Sequence, residues 1–382
     1  MFGECMARRR AEKTLGEVFT SRGFNEVVTP GLEFFDVFDP DYSGIPQEIM
    51  YKMTDKRGRL IVMRPDATLP IARLTATRLQ NLPKPVRLFY TQPVYRSNPN
   101  LTGRSDETMQ TGIELLGAGG KRADLEVIVT AVEALGKCIP NFRLELGHAG
   151  FFRALAAQLP VTDDVREDIR RSIESKNYPQ LNTILDGLKE SRAVCAMRRL
   201  PRLFGGEEVF QEAAELCIDQ NAEQTLQYLR ELYGALSALG LGDRIIIDLG
   251  LVQRNDYYTG VVFSAYVEDY GDAVLIGGRY DRLLEAFDSP MPAIGFGINV
   301  DAVSKILLEK GMVNDLPTTE ILVHSDDGYE MKALSYASQL TELGRRCENS
   351  VFESREQALA YAESRGIQRV DFVGGSIETV RL

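Results

Sequence analysis

The chain has 382 residues and a mass of 42.6 kDa, which predicts two or three domains with a core that needs no disulfide support. Hydrophobic residues make up 44% and charged residues 26%, a balance that excludes intrinsic disorder. No apolar run approaches the length of a membrane span. The net charge of −11 disfavours indiscriminate nucleic-acid binding, which needs a basic surface.

The five cysteines are widely spaced, and only two histidines are present. Because no C-x-x-C pair occurs, the sequence predicts no zinc site. We expect no other metal and no cofactor. Free, scattered thiols are typical of a reduced compartment, and no apolar stretch follows the charged first residues as in a secretory signal. We therefore expect a cytoplasmic protein.

The first part of the chain alternates helices and strands. Apolar periodicity predicts a helix over 8–22, a strand over 59–64 and a further helix after Pro65 and Asp66. Strands are predicted over 86–96 and 108–116, with a polar loop between them. Together they indicate a long antiparallel hairpin.

Composition changes in the middle of the chain, where residues 151–241 show helical periodicity and almost no strand signal. Strands resume after this predicted helical insertion and end in a strand that runs into a helix. A short linker then leads to alternating strands and helices typical of a small α/β domain. The predicted domains are a core over 1–316 and a C-terminal domain over 317–382.

Polar residues on the predicted hairpin are the first candidate site. Gln110, Gly112 and Glu114 alternate along one strand and therefore share a face. Arg96 ends the preceding strand and Arg104 lies in the loop, which offers guanidinium groups for a phosphate or carboxylate. The alternative interpretation is a solvated edge hairpin with surface salt bridges.

Three further clusters have both a structural and a functional interpretation. Tyr257 and Tyr258 open a strand and either wall a flat ligand ring or simply pack the sheet. The segment 277–284 is interpreted as a Gly-Gly turn that enters a helix. Gly295 and Gly297 alternate on a strand, where they either leave room for a planar ligand or relieve packing.

Taken in order, these segments resemble the class II histidyl-tRNA synthetases over roughly residues 5–310. The motifs that carry the resemblance are FNEVVTPGLE, MRPDATLPIAR, YTQPVYRSNPNLTGRSDETMQTGIELLG, NDYY, GGRYD and AIGFGINVDAVS. The resemblance implies an α+β fold with a class II synthetase-like antiparallel sheet flanked by helices. It also implies that the insertion precedes a shortened, anticodon-binding-like α/β domain.

The same resemblance implies a binding site for histidine. In this implied site, Asp66 and Thr68 contact the amine, and Gln110 and Glu114 hold the amine and carboxylate region. Arg96 contacts the α-phosphate and carboxylate. Tyr257 and Tyr258 recognise the imidazole, and Tyr280 lies nearby. Arg104 matches a loop arginine near ATP in the synthetases.

Two departures from the synthetase pattern affect the ATP site. The arginine that precedes the D-Y-Y motif by three residues is replaced by Gln253, and a one-residue shift on a strand would turn Arg254 to the opposite face. The arginine that ends the third motif is replaced by Ala302. Loss of one transition-state arginine costs roughly 10³–10⁵ in phosphoryl-transfer rate. The sequence thus predicts a vestigial ATP site around Arg104, Gln253 and Ala302, with no catalytic residues.

With these departures, the sequence resembles the regulatory subunits of ATP phosphoribosyltransferase, a family of synthetase paralogues in histidine biosynthesis. The resemblance implies a homodimer within a hetero-octamer with the short-form catalytic subunit, which the chain activates and which it inhibits when L-histidine binds. From Thr318 to the C-terminus, seven Lys or Arg stand against eleven Asp or Glu, which argues against tRNA binding. The alternatives are an active histidyl-tRNA synthetase and a synthetase-like binding module with another partner.

Overall fold

The computed structural model describes residues 2–98, 105–217, 219–252, 257–268, 270–313 and 318–382, with residues 40 and 41 described by their backbone alone. The chain forms two compact units, one over residues 7–312 and the other over residues 313–382 together with the first six. The predicted domain boundary at residues 316 and 317 lies outside the described residues. No helix in the described part of the chain has the length and apolar character that a bilayer crossing requires.

The α-helices are α1 (Phe2–Ser21), α2 (Pro40–Ser43), α3 (Thr68–Arg78), α4 (Lys121–Cys138), α5 (Ala149–Ala157), α6 (Asp163–Glu174), α7 (Tyr178–Asp186), α8 (Arg192–Arg199), α9 (Glu208–Ala214), α10 (Gln220–Ala238), α11 (Val300–Glu309), α12 (Glu330–Glu342) and α13 (Arg355–Arg365).

The strands are β1 (Asn25–Glu26), β2 (Leu32–Phe34), β3 (Lys52–Thr54), β4 (Leu60–Met63), β5 (Val86–Tyr95), β6 (Glu107–Leu116), β7 (Arg143–His148), β8 (Phe204–Gly205), β9 (Ile245–Asp248), β10 (Val261–Tyr266), β11 (Leu275–Arg279), β12 (Ala293–Asn299), β13 (Ile321–Ser325), β14 (Cys347–Asn349), β15 (Arg369–Val373) and β16 (Ile377–Arg381).

The larger unit is built on a mixed sheet in the order β1-β5-β6-β12-β11-β10-β7-β9-β8. Its central strands are antiparallel, as predicted, and β5 and β6 form the expected hairpin. Alternate residues on these strands face α1, where the Phe19 ring packs at 5.8 Å from both Phe89 and Phe296. The opposite face of the sheet is thereby left for a ligand cavity.

The prediction of a Gly-Gly turn at the start of segment 277–284 is wrong. Gly277 and Gly278 lie within β11 and pair with strands on both sides. A Cβ atom on Gly277 would approach Phe263 to 2.5 Å, and one on Gly278 would approach Tyr258 to 2.6 Å. Glycine is present here because neighbouring rings cross the strand.

The C-terminal unit contains a sheet in the order β14-β13-β15-β16. Its first three strands are parallel, and β16, which the sequence analysis missed, pairs antiparallel to β15. Ile321 and Val323 pack against α12, whereas Leu322 packs against α13. The two helices therefore cover opposite faces, because successive strand residues point to opposite sides.

Candidate functional site

A cavity of about 740 Å³ lies over the face of the main sheet that is turned away from α1. Its floor follows the cross-strand row Tyr90–Gly112–Gly297–Ile276–Ser264. Two glycines in this row keep the floor low next to Tyr90. The volume falls within the ordinary range for sites that enclose a small organic ligand.

The residues that the sequence analysis assigned to histidine binding all line this one cavity, although they come from distant parts of the chain. They are Asp66, Thr68, Arg96, Gln110, Glu114, Tyr257, Tyr258 and Tyr280. Their convergence depends on the sheet order, which places β6 beside β12 and β12 beside β11.

Glu114 is the most enclosed carboxylate of the cavity, with 1% of its surface exposed. The hydroxyl of Thr68 donates to its Oε1 at 2.7 Å, and the hydroxyl of Tyr280 donates to its Oε2. Burial raises the pKa of Glu114 to about 8, although the two hydrogen bonds oppose this shift. A cation bound beside Glu114 would therefore stabilise the ionised form of its carboxyl group.

Asp66 provides a second buried carboxylate at the start of α3. The backbone N–H of Leu69 donates to its Oδ1 at 3.1 Å, and Arg96 lies 3.8 Å from its Oδ2. Burial raises the pKa of Asp66, while the charge of Arg96 and the backbone donors lower it. Arg96 is itself held by a 2.6 Å hydrogen bond from its Nε to the carbonyl of Pro65.

Three tyrosine rings form a wall beside these carboxylates. The rings of Tyr257 and Tyr258 lie 4.8 Å apart, and Tyr280 meets Tyr257 edge to face at 5.8 Å. All three side chains are buried. Such a wall suits a flat ring with polar edges, since the phenols supply both apolar faces and hydroxyl groups.

Tyr90 is a cavity residue that the sequence analysis missed. It pairs with Gly112 across β5 and β6, and its hydroxyl donates to Oε1 of Gln110 at 3.3 Å. On its own strand Tyr90 has the alternation of an ordinary core residue. The signal that distinguishes it is the glycine directly opposite.

A second acidic group at the far end of the cavity was also missed. Glu145 on β7 and Asp248 on β9 line it together with Lys176, which follows α6. Burial raises the pKa of Glu145 to about 7 and that of Asp248 to about 6, and Lys176 opposes both shifts. The helical insertion thus roofs this end, because Lys176 and Tyr178 belong to it.

The sequence predicts a vestigial ATP site around Arg104, Gln253 and Ala302. Arg104 and Gln253 lie outside the described residues. Ala302 is buried in the first turn of α11, where its N–H donates to Asn299 Oδ1 at 3.0 Å. The neighbouring Asp301 accepts hydrogen bonds from Arg8 and from the N–H of Met109.

Comparison with known proteins gives a consistent family. The family model described as histidyl-tRNA synthetase matches residues 3–303. The ATP phosphoribosyltransferase regulatory subunit of Clostridium kluyveri is 37% identical over 372 residues, which is 96% of this chain and 95% of the relative. The protein of the same name from Bacillus mycoides is 35% identical over 97% of this chain and 89% of its own length.

Solved structures agree with the fold. A structure from Bacillus halodurans, titled as an ATP phosphoribosyltransferase regulatory subunit/histidyl-tRNA synthetase, superposes with a TM-score of 0.85 at 28% identity, covering 97% of this chain and 95% of that chain. The histidyl-tRNA synthetase of a Nostoc species superposes with a TM-score of 0.76 at 19% identity, covering 99% and 94%. At that identity the second likeness shows the shared fold alone.

Proposed function

This chain belongs to the family of ATP phosphoribosyltransferase regulatory subunits, and on that premise we propose that it binds free L-histidine in the cavity over the main sheet. The observation that carries the proposal is the convergence of eight residues, assigned from sequence, on one cavity. Their chemistry matches an amino acid with a flat, polar ring. Two buried carboxylates, a guanidinium group and a tyrosine wall complement its ammonium, carboxylate and imidazole groups.

In the proposed complex the ammonium group lies between Asp66 and Glu114. A cation there stabilises both ionised carboxylates, whose pKa values burial raises in the free protein. The imidazole ring lies against the tyrosine wall. The carboxylate group then faces Arg96 and the Gln110 amide, which supply donors for an anion.

The proposed role is non-catalytic, in keeping with the name of the relatives. Amino-acid activation by ATP moves negative charge onto phosphate groups, and fixed cations must stabilise that charge. The third-motif position offers an alanine methyl group in place of a guanidinium, next to the carboxylate of Asp301. We infer that the chain kept the amino-acid pocket and lost the phosphate contacts around Arg104, Gln253 and Ala302.

The assembly we propose pairs this chain with the short-form catalytic subunit of ATP phosphoribosyltransferase in the cytoplasm. The regulatory chain raises catalytic activity, and histidine reverses that effect. Thermodynamic linkage requires that histidine bind the low-activity state of the assembly more tightly than the active state. Substrates of the catalytic subunit that bind the active state more tightly then weaken histidine binding by the same factor.

An apolar sheet face supports a homodimer within the proposed hetero-octamer. Leu32, Phe34 and Met53 are exposed, and cross-strand pairing places them on the same face as Ile61 and Met63. Exposed apolar patches of this kind mark protein interfaces. We propose that a second copy of the chain covers this apolar sheet face, because the segment that resembles the first synthetase motif runs directly into it.

Two measurements on one sample test the function. Isothermal titration with L-histidine should give saturable binding, whereas histidine-dependent ATP–pyrophosphate exchange should stay at background beside an active histidyl-tRNA synthetase. Robust exchange would make the chain a synthetase. Absence of histidine binding would refute the proposed pocket.

The partnership is tested separately with the purified catalytic subunit. Mixing should raise phosphoribosyl transfer to ATP, and histidine should reverse this in the wild-type mixture. A Glu114→Gln chain should still associate but respond more weakly to histidine. If the wild-type chain binds histidine without altering the transferase, the alternative of a binding module with another partner is favoured.

A further inference from the structure

The Tyr90 hydroxyl lies over two glycines of neighbouring strands. The side chain of Tyr90 is 1% exposed, and its hydroxyl would lie 2.8 Å from a Cβ atom on Gly112 and 3.0 Å from one on Gly297. The nearest atoms to these Cβ positions are the Phe296 carbonyl oxygen, 2.0 Å from the one on Gly112, and Nε2 of Gln110, 2.4 Å from the one on Gly297. A larger residue at either glycine would therefore also crowd the Tyr90 hydroxyl.

The Tyr90 hydroxyl makes a hydrogen bond with the Gln110 amide. It donates to Oε1 at 3.3 Å, while Nε2 lies over Gly297, 2.4 Å from where a Cβ atom would stand. Burial and the nearby carboxylates of Glu114 and Asp66 raise the pKa of Tyr90, so the phenol keeps its proton and remains a donor. Oε1 accepts this hydrogen bond, and Nε2 lies over Gly297, which lines the cavity.

An amide nitrogen offers donors only, which suit a carboxylate and oppose an ammonium group. The cavity already has acceptors for an ammonium group in Asp66 and Glu114. Arg96 lines the same cavity as Gln110 and adds positive charge to it. An anionic group of a ligand can therefore be bound by the Gln110 amide together with Arg96.

We propose that Tyr90 is a positioning residue that turns the Gln110 amide nitrogen toward the ligand, so that the cavity selects amino acids with a free α-carboxylate. This inference rests on the proposed histidine pocket. It implies that the chain senses the free amino acid and rejects forms in which the carboxylate is reduced or esterified. A fixed donor achieves this because an alcohol or ester oxygen returns a weaker, uncharged hydrogen bond.

The test compares Tyr90→Phe with the wild-type chain in isothermal titrations with three ligands. L-Histidine has both polar groups, L-histidinol carries an alcohol in place of the carboxylate, and 3-(imidazol-4-yl)propionate lacks the ammonium group. We expect Tyr90→Phe to weaken the binding of L-histidine and of the propionate by about 2- to 12-fold, the range for one hydrogen bond. The affinity for L-histidinol should change by less than about 2-fold, because L-histidinol lacks the carboxylate that the amide binds.

A matched control and a second variant separate positioning from folding. Tyr361→Phe removes a tyrosine hydroxyl that donates to Glu348 at 2.8 Å in the C-terminal unit, and should leave all three affinities unchanged. Gln110→Glu replaces the donor with an acceptor-only group. It should weaken L-histidine by more than about 10-fold while L-histidinol is retained.

Four results would overturn the inference. Equal weakening of L-histidine and L-histidinol by Tyr90→Phe would show a merely structural role, and no weakening would show that the amide needs no positioning. Selective weakening of L-histidinol would show that the amide faces the ammonium group. A wild-type chain that binds none of the three ligands would refute the pocket itself, and the inference with it.

Discussion

A Cβ atom placed on Gly295 would lie 1.8 Å from Oε2 of Glu114, its direct partner across β12 and β6. The missing side chain is what lets the Glu114 carboxylate lie across the neighbouring strand. From there Oε2 accepts the hydrogen bond of Tyr280, which follows β11. Because residue 295 is a glycine, the buried carboxylate of Glu114 on β6 can cross β12 and reach the residue that follows β11.

Gly295→Ala should therefore abolish histidine binding and destabilise the fold. The methyl group would also approach the carbonyl of Ile113 to 2.4 Å, so rotation of Glu114 alone cannot relieve the contact. Overpacking of this kind costs about 1–3 kcal/mol. Calorimetric titration with L-histidine measures the loss of binding, and urea unfolding measures the loss of stability.

The matched control is Gly234→Ala on α10, where no heavy atom lies within 4 Å of the added Cβ. A helical Gly-to-Ala exchange should stabilise by roughly 0.5–1 kcal/mol and leave binding unchanged. If Gly295→Ala behaves like this control, the close approach to Glu114 does not shape the pocket.

Part of this arrangement is predictable from the sequence. The alternation of Gln110 and Glu114 on one strand predicts that they share a face, and both line the cavity. Strand periodicity is local information, so the predicted β5 and β6 agree with the observed bounds to within one or two residues. The turn predicted at the glycine pair in β11 was wrong because a Gly-Gly dipeptide occurs for two reasons. It forms a turn, or it makes room for a ring that crosses a strand, and the adjacent sequence does not distinguish the two cases.

The parts that were missed depend on contacts between distant segments. Tyr90 is a pocket residue because Gly112 and Gly297 lie beside it on two other strands. Glu145 and Asp248 belong to the cavity because the helical insertion covers them, which no pattern within β7 or β9 encodes. Sequence motifs located the proposed ligand contacts by resemblance, whereas the floor and roof of the cavity required the sheet order.

Histidine binding should release a proton near neutral pH. Burial raises the pKa of Glu114 to about 8 in the free cavity, so its carboxyl is largely protonated at pH 7. An ammonium group opposite it favours the charged form and lowers that pKa, which sends a proton to the buffer. Histidine affinity should accordingly rise between pH 6.5 and pH 8.

Titration calorimetry in buffers with different ionisation enthalpies measures this proton. In the Glu114→Gln variant the buffer dependence should vanish, and affinity should vary little across the same pH interval. A wild-type binding enthalpy that is independent of the buffer would argue that Glu114 does not meet the ligand's charge.

The same carboxyl should make the free protein less stable as pH rises. Its pKa is raised in the folded state above the ordinary value of 4.5, so the folded chain holds more protons than the unfolded chain between about pH 4.5 and pH 8. The free energy of unfolding contributed by Glu114 therefore falls through that window. Urea unfolding at pH 6.5 and pH 8 should show a smaller decrease for Glu114→Gln than for the wild type; an equal decrease would contradict the assignment.

A buried ion pair holds the strand that leads into Tyr280. Arg279 donates from Nε to Asp124 at 2.8 Å, and both side chains are buried. Arg279→Met would leave the Asp124 charge uncompensated, which costs about 3–5 kcal/mol in comparable pairs. Urea unfolding should show this loss, and L-histidine should bind more weakly because Tyr280 is the next residue.

The control for that pair is Arg345→Met on the surface of the C-terminal unit, where the guanidinium group lies 3.2 Å from Glu320. An exposed substitution of this type should change the free energy of unfolding by less than about 0.5 kcal/mol. Equal effects from the two substitutions would mean that burial of the Arg279–Asp124 pair contributes nothing to stability.

The apolar sheet face should carry the homodimer contact. Phe34 is exposed on β2 and pairs with Ile61 of β4. An aspartate at position 34 would therefore place a charge in the middle of an apolar interface. We expect Phe34→Asp to shift the free chain from a dimer to the 42.6 kDa monomer in light scattering behind gel filtration. Met331→Asp changes a methionine that is 78% exposed in the C-terminal unit and should leave the dimer intact. A Phe34→Asp chain that stays dimeric would place the contact elsewhere, whereas a monomer that still binds L-histidine would show that each pocket is complete within one chain.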